Sequence, residues 1–82
     1  MLQAKQVLEV SLFTPEGLLF QGKACSIILP GEQGVFEVLP HHKPLMSRLF
    51  KGEILIDGRS IPIQRGLAKV VLNAVRAIVE IA

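Results

Sequence analysis

The sequence predicts an all-β domain, a sandwich or flattened barrel of about ten strands, and three observations lead there. Short apolar runs recur roughly every eight residues along the whole chain, each broken by turn residues. Several runs alternate apolar and polar side chains with the two-residue period of a half-buried strand. No segment keeps a helical period over the roughly 12 residues that an isolated helix needs. The 82 residues read as one domain, 1–82, without linker, repeat or low-complexity segment. Half of them are hydrophobic (50%), which excludes intrinsic disorder. It also suits a chain this short, which must fill its core economically.

Residues 6–13 open the fold as a strand, with Leu8, Val10 and Leu12 pointing one way and Val7, Glu9, Ser11 and Phe13 the other. Residues 14–17 make a turn, with Pro15 and Gly17 where a tight turn uses them. Residues 18–21 form a short strand ending at Gly22, and 23–29 form another. Residues 30–34 are a loop with Gly31 and Gly34, residues 35–39 a strand, and 40–44 a loop between Pro40 and Pro44. Strands 45–50 and 53–56 are separated by Lys51 and Gly52. Asp57 and Gly58 between apolar runs are a strong hairpin signal. Pro62 has no N–H to donate, so its strand, 61–63, should be an edge or carry a bulge. Residues 64–66 read as the next turn, followed by β-branched strands 67–72 and 75–81 around Asn73. In the last of these, Val75, Ala77, Val79 and Ile81 alternate with Arg76, Ile78 and Glu80.

Composition narrows the function classes. The net charge of +2 is too small for the concentrated basic face of a nucleic-acid binder. With no Trp or Tyr and only four Phe there is no base-stacking platform. The single cysteine, Cys25, cannot form an internal disulfide, which fits a reducing compartment, and it reads as a small buried apolar residue. Residues 1–6 lack the basic start and apolar run of a signal peptide. No stretch approaches the roughly 20 apolar residues of a membrane span. Work at a membrane would therefore pass through a partner.

No catalytic arrangement emerges. His41 and His42 are adjacent, so on a strand they face opposite ways and do not readily share a metal. They read as hydrogen-bonding loop residues. No serine stands in a Gly-x-Ser-x-Gly context. The loop from Gly31 to Gly34 is too short and too acidic to cradle a phosphate. No catalytic residue, cofactor or metal ligand is expected. What remains is surface: the apolar excess suggests an exposed patch of the kind that marks a partner site, and well-filled inner faces would account for the same composition.

One stretch goes beyond pattern. Leu29, Pro30, Gly31, Glu32, Gln33 and Gly34, then Val38, Leu39, Pro40, His42, Pro44 and Leu45, resemble the epsilon subunit of rotary ATP synthases. In that family a Gly-x-x-Gly loop leads into a strand and then a Pro-Gly-His-x-Pro-Leu segment. Upstream, Leu8 to Val10, the 14–17 turn and residues 19–22 look like the family's opening. Downstream, Gly52, Glu53 and Ile54, then Arg65 and Gly66, match its later turns, and residues 75–82 its closing strand. The resemblance covers nearly the whole chain.

The resemblance implies a ten-stranded β-sandwich and a non-catalytic role in the central stalk, or rotor, of a proton- or sodium-translocating rotary ATP synthase. It implies two partners, the gamma subunit and the c-ring, and a peripheral position at the cytoplasmic face of the inner (plasma) membrane. It maps the interface to Gly31, Glu32, Gln33, Gly34 and His42. The sequence departs from the family at Val35, where an acid is common, and at Glu37 and His41, where glycine is. Those departures motivate the alternative, a free-standing epsilon-like adaptor that has lost the ATP synthase partner. The helical hairpin that follows the sandwich in the family is not among these residues, so neither ATP binding nor helix-mediated inhibition is expected of them.

Overall fold

The computed structural model describes residues 6–82. Residues 1–5, read above as lacking a leader, lie outside the described residues. Eight strands follow in order: β1 Leu8–Thr14, β2 Gly17–Ala24, β3 Ile27–Gly31, β4 Gly34–Val38, β5 Leu45–Leu49, β6 Gly52–Ile56, β7 Arg59–Val71 and β8 Ala74–Ile81. They join in the order β2-β1-β8-β7-β5-β3-β4, with β6 bonded to both β3 and β7. All pairs are antiparallel except β1 with β8.

The long strand β7 organises the sandwich. Its first part pairs with β6, Ile54 facing Ile61, and its second part with β5, Ser47 facing Ala68. β3 pairs with β6 and touches β5 where Gly31 faces Leu49, and Phe50 N–H donates to the Pro30 carbonyl at 2.9 Å. β7, β6, β3 and β5 thus close on themselves, and β7 passes from one layer to the other, as strands at sandwich corners do.

The expected turn at 64–66 is absent. An extra residue, Gln64, stands between the Ile63–Ile81 and Arg65–Glu80 pairs. This bulge bends the strand without ending it. The two strands expected at 61–63 and 67–72 are therefore one, which brings the count to eight. Pro62 lies two residues before the bulge and offers its carbonyl to the Ala82 N–H at 3.3 Å.

Gly22 does not end a strand either, since β2 runs on to Ala24. The break falls at Cys25 and Ser26, whose N–H groups both donate to the Asp57 carboxylate at 3.0 Å. This break shifts the alternation, so Ala24 and Ile27 both point inward and Cys25 is exposed rather than buried.

Every strand contributes to one apolar core. The first strand's alternation is as expected, with Leu8, Val10 and Leu12 essentially inaccessible. No polar or charged side chain among the described residues is buried, so the core carries no desolvation cost of that kind.

The Asp57-Gly58 hairpin forms with both residues at positive φ, 47° and 87°. That backbone is the primed turn whose twist matches the flanking strands. Gly58→Val should therefore cost about 1 kcal/mol or more, because a β-branched residue resists positive φ. A melting curve reads this as a fall of about 4–8 °C per kcal/mol, and an unchanged midpoint would contradict the turn.

Candidate functional site

Two exposed surfaces adjoin along β5. The first is the tip of the β3–β4 hairpin, which holds the residues expected from sequence. Gly31 faces Gly34 across the ladder, leaving Glu32 and Gln33 at the turn. Glu32, Gln33 and Gly34 are exposed, and with half-buried His42 they line an open depression of about 550 Å³. Val35 and Met46 stand on the same depression, 72% and 63% exposed.

Gly31 is placed differently from the other four. It is buried, and a Cβ there would lie 2.5 Å from the Phe36 ring. It lets Phe36 close over the hairpin and presents no side chain of its own.

The two histidines diverge. His42 Nδ1 lies 2.7 Å from the Lys43 carbonyl oxygen, so in the neutral ring that nitrogen donates and Nε2 is the acceptor. His41 takes a positive φ of 71°, the conformation that a glycine adopts most easily. Its N–H donates to Asn73 Oδ1 at 2.6 Å, tying the 40–44 loop to the β7–β8 turn. Among the described residues no group of three His, Cys, Asp or Glu side chains could hold a metal ion.

The second surface was not located from sequence. On the outer face of β2-β1-β8-β7-β5 the register sets five residues side by side: Leu18 opposite Phe13, Phe13 beside Ile78, Ile78 opposite Leu67, and Leu67 opposite Arg48. Leu18, Ile78 and Leu67 are 55%, 58% and 48% exposed. Phe50 and Pro15 extend this apolar row around a groove of about 510 Å³, with the ion pair of Arg65 and Glu80 (3.4 Å) on its edge. A second row runs beside it, in the order Met46, Lys69, Arg76, Ser11 and Gln21.

The composition pointed to an apolar excess without saying where it lies. A sharper signal was present in Ile78 and Leu67. Each is apolar in the polar phase of its strand, between Arg76 and Glu80 and between Arg65 and Lys69. An apolar residue out of phase on a half-buried strand faces solvent or a partner.

The chain matches the family model for the β-sandwich domain of the ATP synthase delta/epsilon chain over residues 7–82. It is similar to the ATP synthase epsilon chain of a Nitratiruptor species, 46% identical over 78 residues that cover 89% of this chain and 60% of that one. It is also similar to the ATP synthase epsilon chain of Campylobacter fetus subsp. fetus, 37% identical over 78 residues with the same coverage. The chain thus spans about 60% of the length of these curated relatives. Among solved structures, it resembles a chain of the Euglena gracilis mitochondrial ATP synthase (OSCP/F1/c-ring) with a TM-score of 0.81 at 19% identity, covering 94% of this chain and 52% of that one. A chain of the central stalk/c-ring of the Tetrahymena thermophila mitochondrial ATP synthase gives a TM-score of 0.74 at 16% identity, covering 95% of this chain and 66% of that one. At these identities the likeness is one of fold.

Proposed function

Because the chain belongs to the delta/epsilon β-sandwich family of ATP synthases, we propose that it is the sandwich of an epsilon-type central-stalk subunit. In this reading it is non-catalytic and turns with the rotor of a proton- or sodium-translocating enzyme. It binds the gamma subunit and the c-ring, and sits peripherally at the cytoplasmic face of the inner membrane.

The exposed apolar row across β2, β1, β8 and β7 is the observation that carries this reading. A free monomer rarely leaves a contiguous apolar patch in water, and covering it returns roughly 25 cal/mol per Å². A flat sheet face of this kind suits the apolar centre of an interface with a polar rim, and here it is assigned to gamma. The exposed hairpin tip, Glu32, Gln33 and Gly34 with His42, is assigned to the ring, with Gly31 supporting it from beneath.

The build supports the mechanical role. The tip is hydrogen-bonded through β3 to β5 and β6, and both continue into β7. Torque applied at one surface reaches the other through a closed ladder over an apolar core, which deforms little.

Co-expression with the gamma subunit of the same organism, followed by size exclusion, tests the proposal. A co-eluting one-to-one complex supports the stalk role. Separate elution at roughly tens of micromolar, a concentration that reveals all but weak complexes, would favour the adaptor reading. Within that assembly, Glu32→Lys should weaken attachment to the ring and leave the melting temperature unchanged. Loss of both together would make the tip a structural element.

A further inference from the structure

The face carries a charge arrangement that the fold by itself does not require. Lys69 on β7 and Arg76 on β8 stand directly opposite each other. Both point outward, since Ala68, Val70, Val75 and Ala77 beside them are buried. Like charges directly opposite across a sheet are destabilising. Arg48 adds a third cation, opposite Leu67 and so diagonal to Lys69.

Among the described residues no acid stands directly opposite this trio. Glu80 is held by Arg65 at 3.4 Å, the only ion pair among the described residues. Glu9 lies diagonal to Arg76 but directly opposite Lys23. The flanking partners in the row, Met46 and Ser11, are uncharged.

Lys69 and Arg76 also lie between two apolar strips, while Arg48 ends the first of them. On one side is the row through Leu67 and Ile78. On the other, Val71 and Leu72 line a groove of about 410 Å³ together with Lys69 and Arg76. Leu72 is 89% exposed, at the β7–β8 turn, with a positive φ of 50°. An unbranched polar residue would sit there more easily than a leucine.

We infer that this face receives an acidic, amphipathic surface of the stalk partner. Its carboxylates lie over Lys69, Arg76 and Arg48, and its apolar side chains over Leu67 and Ile78. On β7 and β8 the two rows are two residues apart, about 7 Å at roughly 3.4 Å per residue. The partner therefore displaces the acids that meet Lys69 and Arg76 by about that distance from its apolar ridge, while the acid that meets Arg48 lies in line with the ridge. The inference rests on the stalk reading and specifies the chemistry of the gamma contact. The opposed cations lower the stability of the free domain and become favourable on binding, when carboxylates neutralise them.

The test measures binding of the chain to purified gamma by calorimetry at roughly 50 mM and 300 mM NaCl, a range over which the screening length shortens markedly, with thermal melts of the free chain. Affinity should fall about tenfold across that range, as a contact with several charge pairs does. Lys69→Glu should weaken binding about tenfold or more. The free chain should melt at the same temperature or higher, because the introduced carboxylate then faces Arg76. Lys69→Gln should give an intermediate loss. A complex indifferent to salt and to Lys69→Glu overturns this inference alone, as does a parallel loss of affinity and melting temperature. Lysine-dependent binding to phosphatidylglycerol vesicles, with gamma binding unaffected, also overturns it by making the partner a lipid surface. Failure of the unaltered chain to bind gamma overturns the stalk reading, and this inference with it.

Discussion

The double substitution Leu67→Thr and Ile78→Thr should weaken the complex with gamma by about 10- to 100-fold while leaving the free chain's fold intact. Full burial of such a side chain is worth about 1.5–3 kcal/mol. About half of that remains to be gained by each of these half-exposed residues, roughly 1.5–3 kcal/mol for the pair, and every 1.4 kcal/mol or so is about tenfold in affinity. The two face each other across β7 and β8 and are about half exposed in the free chain. Threonine keeps the β preference of the positions, so the melting temperature should move by only a few degrees, roughly the effect of a surface change. Because no charge is introduced, the result separates the apolar row from the cations beside it. Calorimetry or a pull-down titration reads the affinity. Unchanged affinity would place the gamma contact on another surface.

Gly66→Ala should be the most damaging single methyl in the domain. A Cβ at that position would stand 2.6 Å from the Ile78 carbonyl oxygen and 2.9 Å from a Val79 methyl. The first of these is backbone in the neighbouring strand, which a rotamer change cannot relieve. Either the β7–β8 ladder opens or β7 bends further at its bulge. Overpacking of this kind costs about 1–3 kcal/mol, and the upper end applies because backbone must move. For a domain of this size that lowers the melting point by roughly 10–20 °C. Glycine at this site is a close-approach residue between sheet strands, and its φ is not in the positive range. Tolerance of alanine in a thermal melt would mean that the strands are not so tightly apposed.

Much of the fold was legible because a half-buried strand writes its inner face into every second residue. Leu8, Val10 and Leu12 on β1 and Val75, Ala77 and Val79 on β8 follow that rule and lie in the core. Asp57 and Gly58 announced their hairpin because few other pairs accept two consecutive positive φ values. The loop residues Glu32, Gln33 and Gly34 with His42 were legible only through family resemblance. The structure gathers them around one depression and sets Gly31 beneath it.

Phase was illegible wherever an irregularity shifted it. Residues 23–29 read as one strand place Cys25 inward with Ile27 and Leu29. The break at Cys25 and Ser26 turns the cysteine outward. That break exists because Asp57, 32 residues beyond Cys25, captures both amides. A local reading could explain Asp57 by its turn and had no means of seeing this second role.

By itself, then, the sequence determined the all-β class, the faces of the regular strands and the tight hairpin, because each follows from side chains within a few residues of one another. Only the tertiary structure decided that β7 is continuous through Gln64 and Gly66, since β5, β6 and β8 bond to it on both sides. It also decided which exposed apolar side chains lie side by side. Leu18, Phe13, Ile78 and Leu67 are neighbours only because β1 pairs in parallel with β8. That contact joins the two ends of the chain, and periodicity, which is a local property, carries no record of it.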